Sequence, residues 1–161
     1  MPDALSTLAA NWASIYAGSP ILRTLIGFAH VGGLVVSGGA ALVADGAVLR
    51  AVRGGHALRE RQAADMNRTH TVVITGLLFV VLRGVLLAGA DLDTYLESKT
   101  FWLKMGAVVL LAVNGAVMLA AGRRIERGHD GSWSALRTTA LVSLLLWTVT
   151  TLLGAALPNV S

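Results

Sequence analysis

Four stretches of this sequence, residues 20–49, 71–90, 101–122 and 136–157, are apolar almost throughout. Each is long enough to cross about 30 Å of hydrocarbon as a helix rising about 1.5 Å per residue. Composition agrees with the runs: 55% of residues are hydrophobic and 14% are charged, too little charge to cover the surface of a soluble domain. The mean hydropathy is +0.68. The expected fold is all-α, an integral membrane four-helix bundle forming one domain over residues 1–161. Ser19 and Pro20 are placed to cap and begin the first span, and Pro158 marks the end of the last.

The loops set the expected orientation. Arg50, Arg53, Arg59, Arg61 and Arg68 lie between the first two spans, and Arg123, Arg124 and Arg127 between the last two. The middle loop carries Asp91, Asp93 and Glu97, with Lys99 as its one lysine. The positive-inside rule puts the Arg-rich loops in the cytoplasm and both termini outside it, as for a multi-pass protein of the bacterial inner membrane. The same placement explains the net charge of +4 without a nucleic-acid partner; the lipid bilayer is the expected one. With no cysteine, disulfides, thiolate metal sites and a covalently attached haem are excluded. The first twenty residues have no basic start and no continuous apolar core, so no cleavable signal peptide is expected. Instead Leu5, Leu8, Trp12, Ile15 and Tyr16 form one apolar stripe, as on a short amphipathic helix lying in the interface. The turn between the first two spans falls at Gly54–Gly55, and the second helix can begin well before Thr71.

Ionisable groups inside apolar spans are costly and point to function. Here they are His30, Asp45, His70, Arg83 and Lys104, joined by the amide of Asn114. Counting from the Gly54–Gly55 turn places His30 level with Phe79, and Arg83 and Lys104 nearer the outer surface. An imidazole with two cations above it suits a haem b held through His30, with Arg83 and Lys104 on its propionates. The same residues also suit a histidine bonded to a neighbouring helix and two cations snorkelling outward. His70, a further candidate cofactor-binding residue, lies about nine residues or roughly 13 Å from His30 along the axis, which makes the two a poor axial pair. Asp45 reads as a partner for Arg50 or a cap at the cytoplasmic edge, or as a proton or cation site. Asn114 reads as an interhelical hydrogen bond. Gly32, Gly33, Ser37, Gly38 and Gly39 leave the first helix nearly bare beside His30, for close helix packing or for a flat ligand.

The stretch S-P-I-L-R at Ser19–Arg23, then His30, Gly38 and D-x-x-x-L-R at Asp45–Arg50, resembles a bacterial family of uncharacterised four-helix membrane proteins. F-W-L-K-M at Phe101–Met105, followed by Asn114, extends the resemblance to about residue 120. A looser likeness, in an early-helix histidine and a lysine opening a later helix, is to copper-resistance D-type membrane domains and to the small bacterial membrane protoporphyrinogen oxidase. The latter likeness implies haem. Three functions stay open: a haem-b-binding or tetrapyrrole-handling redox module serving electron transport; a non-catalytic accessory subunit or homo-oligomer packing through the Gly-rich helix; and a small transporter for a proton, metal ion or acid. Reporter fusions after residues 60 and 128 are expected to read cytoplasmic, and fusions after residue 95 and at the C-terminus external. A cytoplasmic C-terminus would overturn the orientation and the depth order together.

Overall fold

The computed structural model describes residues 4–129 and 131–160, with the side chains of residues 5, 6, 63–70, 92, 93 and 158–160 left aside. The described residues are helical apart from short turns and contain no strand. In chain order the helices are α1 (Ala4–Gly18), α2 (Pro20–Arg53), α3 (His56–Gly89), α4 (Leu92–Glu97), α5 (Lys99–Glu126) and α6 (Ser132–Val160). Four segments are long and apolar enough to cross a membrane: Pro20–Arg53, Thr71–Gly89, Lys99–Glu126 and Ser132–Leu157.

Local chemistry fixes where these helices start and stop. The Ser19 hydroxyl accepts from the Leu22 N–H at 3.3 Å, with Pro20 opening α2. Ser98 caps α5 in the same way, accepting from the Phe101 N–H. Between α2 and α3 the chain reverses in two residues, and Gly55 takes φ +84° and ψ −171°, a conformation essentially reserved for glycine that costs other residues about 1–3 kcal/mol. The second helix therefore begins at His56; α2 and α3 have 34 residues each and run about 51 Å, and α3 begins well before its apolar span at Thr71. The α2–α3 turn and the α5–α6 turn share the Arg-rich end of the bundle. At that end Arg59 stacks over Trp133 and donates to the Val52 carbonyl at 3.1 Å. At the opposite end α1 rests on α3, where the Trp12 indole donates to the Leu86 carbonyl at 2.8 Å. Trp12 and Tyr16 of the predicted stripe are half-buried there, while Leu8 and Ile15 are exposed.

The long helices form a ring in which α2 packs on α3 and α6, α6 packs on α5, and the α3–α5 seam is the loosest side. The α2–α3 approach is tight because small residues line it: a Cβ on Gly76 would stand 2.6 Å from the Ser37 Cβ, and one on Gly33 would stand 3.0 Å from Val80. Gly38 faces the Trp147 ring. The interior holds two apolar layers. One, around Val48, Met118, Trp133 and Leu136, closes the Arg-rich end. The other, of Ala41, Leu111 and Trp147, lies farther along. Outside, the order of a soluble protein is inverted: Phe28 is 76% exposed, Val35 68% and Leu145 63%, while Ser37, Asp45, Asn114 and Ser143 are buried. Gly76→Leu is expected to lower the unfolding free energy in mixed micelles by about 1–3 kcal/mol, the range for overpacking. Gly32→Leu, at a position open on all sides, is expected to leave it unchanged.

Candidate functional site

The α2–α3 contacts reset the depth scale read from the sequence. Gly33 opposes Val80 and Ser37 opposes Gly76, so facing residues on the two helices have numbers that total 113. His30 is therefore level with Arg83 rather than Phe79, and Arg83 lies about one turn nearer the Arg-rich end than the turn count implies. Its imidazole lies against α3 at Gly84, with Cε1 3.8 Å from where a Cβ would stand. Nδ1 is buried and has no hydrogen-bond partner. Arg83 and Lys104 both lie close enough for their charges to act on the ring.

The two cations lean in opposite directions: Arg83 turns away from the end of its helix that lies opposite the Arg-rich loops, whereas Lys104 reaches toward that end, as a snorkelling side chain does. The Arg83 guanidinium sits 4.1 Å from the centre of the Phe79 ring, one turn back toward the helix start, as expected from the backward tilt of helical side chains. The Lys104 ammonium crosses to α6, with Nζ 3.6 Å from the Cβ position on Gly154. The ion pair found among the described residues is His56 with Glu60 at the Arg-rich end; among those residues neither Arg83 nor Lys104 has a carboxylate partner. The structure thus joins His30, Arg83 and Lys104 in one cationic cluster. It does not join His70 to them. The side chain of His70 lies outside the described residues, but its backbone register is that of Val43, about 13 residues or about 20 Å from His30. The separation is larger than the sequence count gave.

Asp45 is corrected more strongly. It is not paired with Arg50 at the edge of the bundle: at about 100° per residue, positions five apart point about 140° away from each other. Arg50 is exposed and folds beside Gly46, whereas Asp45 is 2% exposed and turned inward. The Ser143 hydroxyl lies against its carboxylate, while Oδ2 is buried with no hydrogen-bond partner. The Asn114 amide donates to the Thr139 carbonyl at 2.9 Å, an α5–α6 bond of the kind expected. Asp45, Asn114 and Ser143 border a cavity of about 270 Å³ whose remaining wall is apolar, including Leu77 and Trp147. Sequence reading passed over Ser143 and Trp147. Their signal was their place on the inward stripe of α6 with Leu136 and Ala140, at helical spacing.

No known protein family, curated protein or solved structure matched this chain when it was compared with each. Among the described residues no group of three or more His, Asp or Glu side chains is gathered as a metal ion would need. Removing the α5–α6 bond by Asn114→Ala is expected to cost about 0.6–1.7 kcal/mol in micellar unfolding, the range for interhelical hydrogen bonds between apolar helices. An unchanged midpoint would show that the Thr139 carbonyl finds another donor.

Proposed function

We propose that this protein is a multi-pass protein of the bacterial inner membrane, with its Arg-rich loops in the cytoplasm. In this reading its His30–Arg83–Lys104 cluster binds a membrane-embedded ligand that carries carboxylates. The observation that carries the reading is the missing counter-charge. Two side-chain cations lie near enough to an imidazole inside apolar helices for their charges to act on it, and no acidic side chain among the described residues pairs with either cation. A cation at such a depth costs about 2.5–3.5 kcal/mol or more unless it is compensated, so an anionic partner is what the cluster lacks. The apolar outer surface and buried polar interior support the membrane setting.

Among carboxylate ligands, haem b or another tetrapyrrole is the class that would engage all three groups. His30 would be its axial ligand, and Arg83 and Lys104 would hold its propionates; a haem there would supply one-electron transfer. The donor types fit and the coordination is incomplete. Nδ1 of His30 has no carbonyl or carboxylate behind it, where a ligating imidazole is usually braced. No described imidazole stands level with His30 as a second axial ligand. The glycine seam predicted to leave room for a flat ligand is filled by α3 at Gly33 and Gly76, so a tetrapyrrole would have to enter from the loose α3–α5 side. A homo-oligomer or accessory-subunit role has its own support in Gly32 and Gly39, which stay open on the outside of α2.

The chain purified in detergent from haem-replete cells is expected to show a Soret band. His30→Ala should abolish the band with the fold intact. Arg83→Ala and Lys104→Ala should weaken retention by about ten-fold, as for loss of a charge-assisted contact of roughly 1.5 kcal/mol, and His70→Ala should change least. A colourless preparation that carries an acidic lipid or fatty acid lost in Arg83→Ala would keep the anion site and remove haem. A colourless preparation without such a ligand would leave the accessory role.

A further inference from the structure

The second polar place in the bundle is separate from the cationic cluster and opposite in charge. Asp45 lies about 15 residues, or about 22 Å, along α2 from His30. It is sealed from the Arg-rich end by the layer around Val48 and Leu136. It borders the cavity of about 270 Å³, just below the range of about 300–1,000 Å³ typical of drug-sized ligands. The wall is incomplete toward the loose α3–α5 side, where Ile74, Ala112 and Ala116 line the cavity and are exposed.

The polar atoms turned to this space are of one kind. Asp45 Oδ2 is buried with no hydrogen-bond partner. The Asn114 amide nitrogen is committed to the Thr139 carbonyl, which leaves its carbonyl oxygen. The Ser143 hydroxyl lies against Asp45. The cavity therefore offers acceptors, a carboxylate and the Trp147 ring within an apolar wall. A bare divalent ion needs about six oxygen ligands, and no such set is gathered among the described residues. An organic cation with apolar substituents matches every part: charge for Asp45, apolar surface for Leu77 and Ala41, and a cation–π face in Trp147.

We propose that the cavity bordered by Asp45, Asn114, Ser143 and Trp147 is a binding site for a small lipophilic cation that enters from the bilayer between α3 and α5. The site is independent of the His30 cluster, and its loss leaves the proposal for that cluster standing. The test is calorimetric titration of the full chain in detergent with benzyltrimethylammonium, and with benzenesulfonate as its anionic counterpart. The cation is expected to bind saturably, one per chain, and the anion not at all. Asp45→Asn should weaken cation binding at least ten-fold, and Asp45→Glu should restore most of it. Gly115→Leu keeps the carboxylate and fills the cavity from a position where an added Cβ meets nothing within 4 Å; it should weaken binding at least ten-fold. Gly32→Leu, on the outer face, should bind as the parent does. Absence of saturable cation binding by the parent chain would overturn the proposal. So would unchanged affinity in Asp45→Asn or, where that variant does not fold, in Gly115→Leu.

Discussion

The contact between Ser37 and Gly76 governs more of this structure than its size suggests. Without a side chain at position 76, α3 comes close enough to α2 that the Ser37 Cβ fills the space a Cβ would need. The Ser37 hydroxyl turns back to the Gly33 carbonyl at 2.6 Å, so the approach leaves no polar group exposed to the apolar interior. Once these two positions meet, the register of the longest helical pair is fixed. His30 then falls against Gly84, and Gly38 is left to receive Trp147 from α6. Because α6 is positioned through that ring, the place of Ser143 beside Asp45 depends on the same contact.

A bundle of apolar helices gains little from burying apolar groups against one another when its surroundings are equally apolar. Close packing and interhelical hydrogen bonds must hold it instead. The strong seams here are of that kind: glycine against serine and valine between α2 and α3, and Asn114 donating to Thr139 between α5 and α6. The α3–α5 side has neither device and is the loosest of the four. The interior cavity opens toward that side. Looseness of this sort is where a ligand dissolved in the bilayer would gain access without unpacking the two tight pairs.

Much of this arrangement was legible in the sequence, and the parts that were not have identifiable causes. Hydropathy gave the four spans because their length and polarity are properties of the chain alone. Ser19, Pro20 and the Gly54–Gly55 turn were legible because capping and positive φ are local chemistry. The facing register was misjudged by about one turn. The first turn of α3 is spent rounding the corner, with Leu58 tucked against Gly54, and a count from the turn cannot include that. Asp45 was read toward Arg50 because nearness in sequence suggests pairing, whereas helical angle separates the two. The cavity was out of reach for a different reason: it is made by residues from four helices, most of them ordinary apolar ones beside Asp45 and Asn114, and exists only after the register is set.

The two polar places also explain each other's isolation. One holds cations without a described carboxylate, and the other holds a carboxylate without a described cation, so mutual neutralisation is the first possibility to examine. At about 4 Å and an effective dielectric constant near 20, opposite unit charges attract by about 4 kcal/mol. At about 22 Å the same expression gives under about 1 kcal/mol. That falls well short of the desolvation of a buried ion, which amounts to several kcal/mol. Apolar packing also lies between the two places, with Gly38 against Trp147 and Ala41 against Leu111, and no continuous polar path crosses it among the described side chains. Under the two proposals each place finds its counter-charge in a ligand, since none is found among the described side chains. The ligand proposed for one does not suit the other, since the first proposal calls for an anion and the second for a cation.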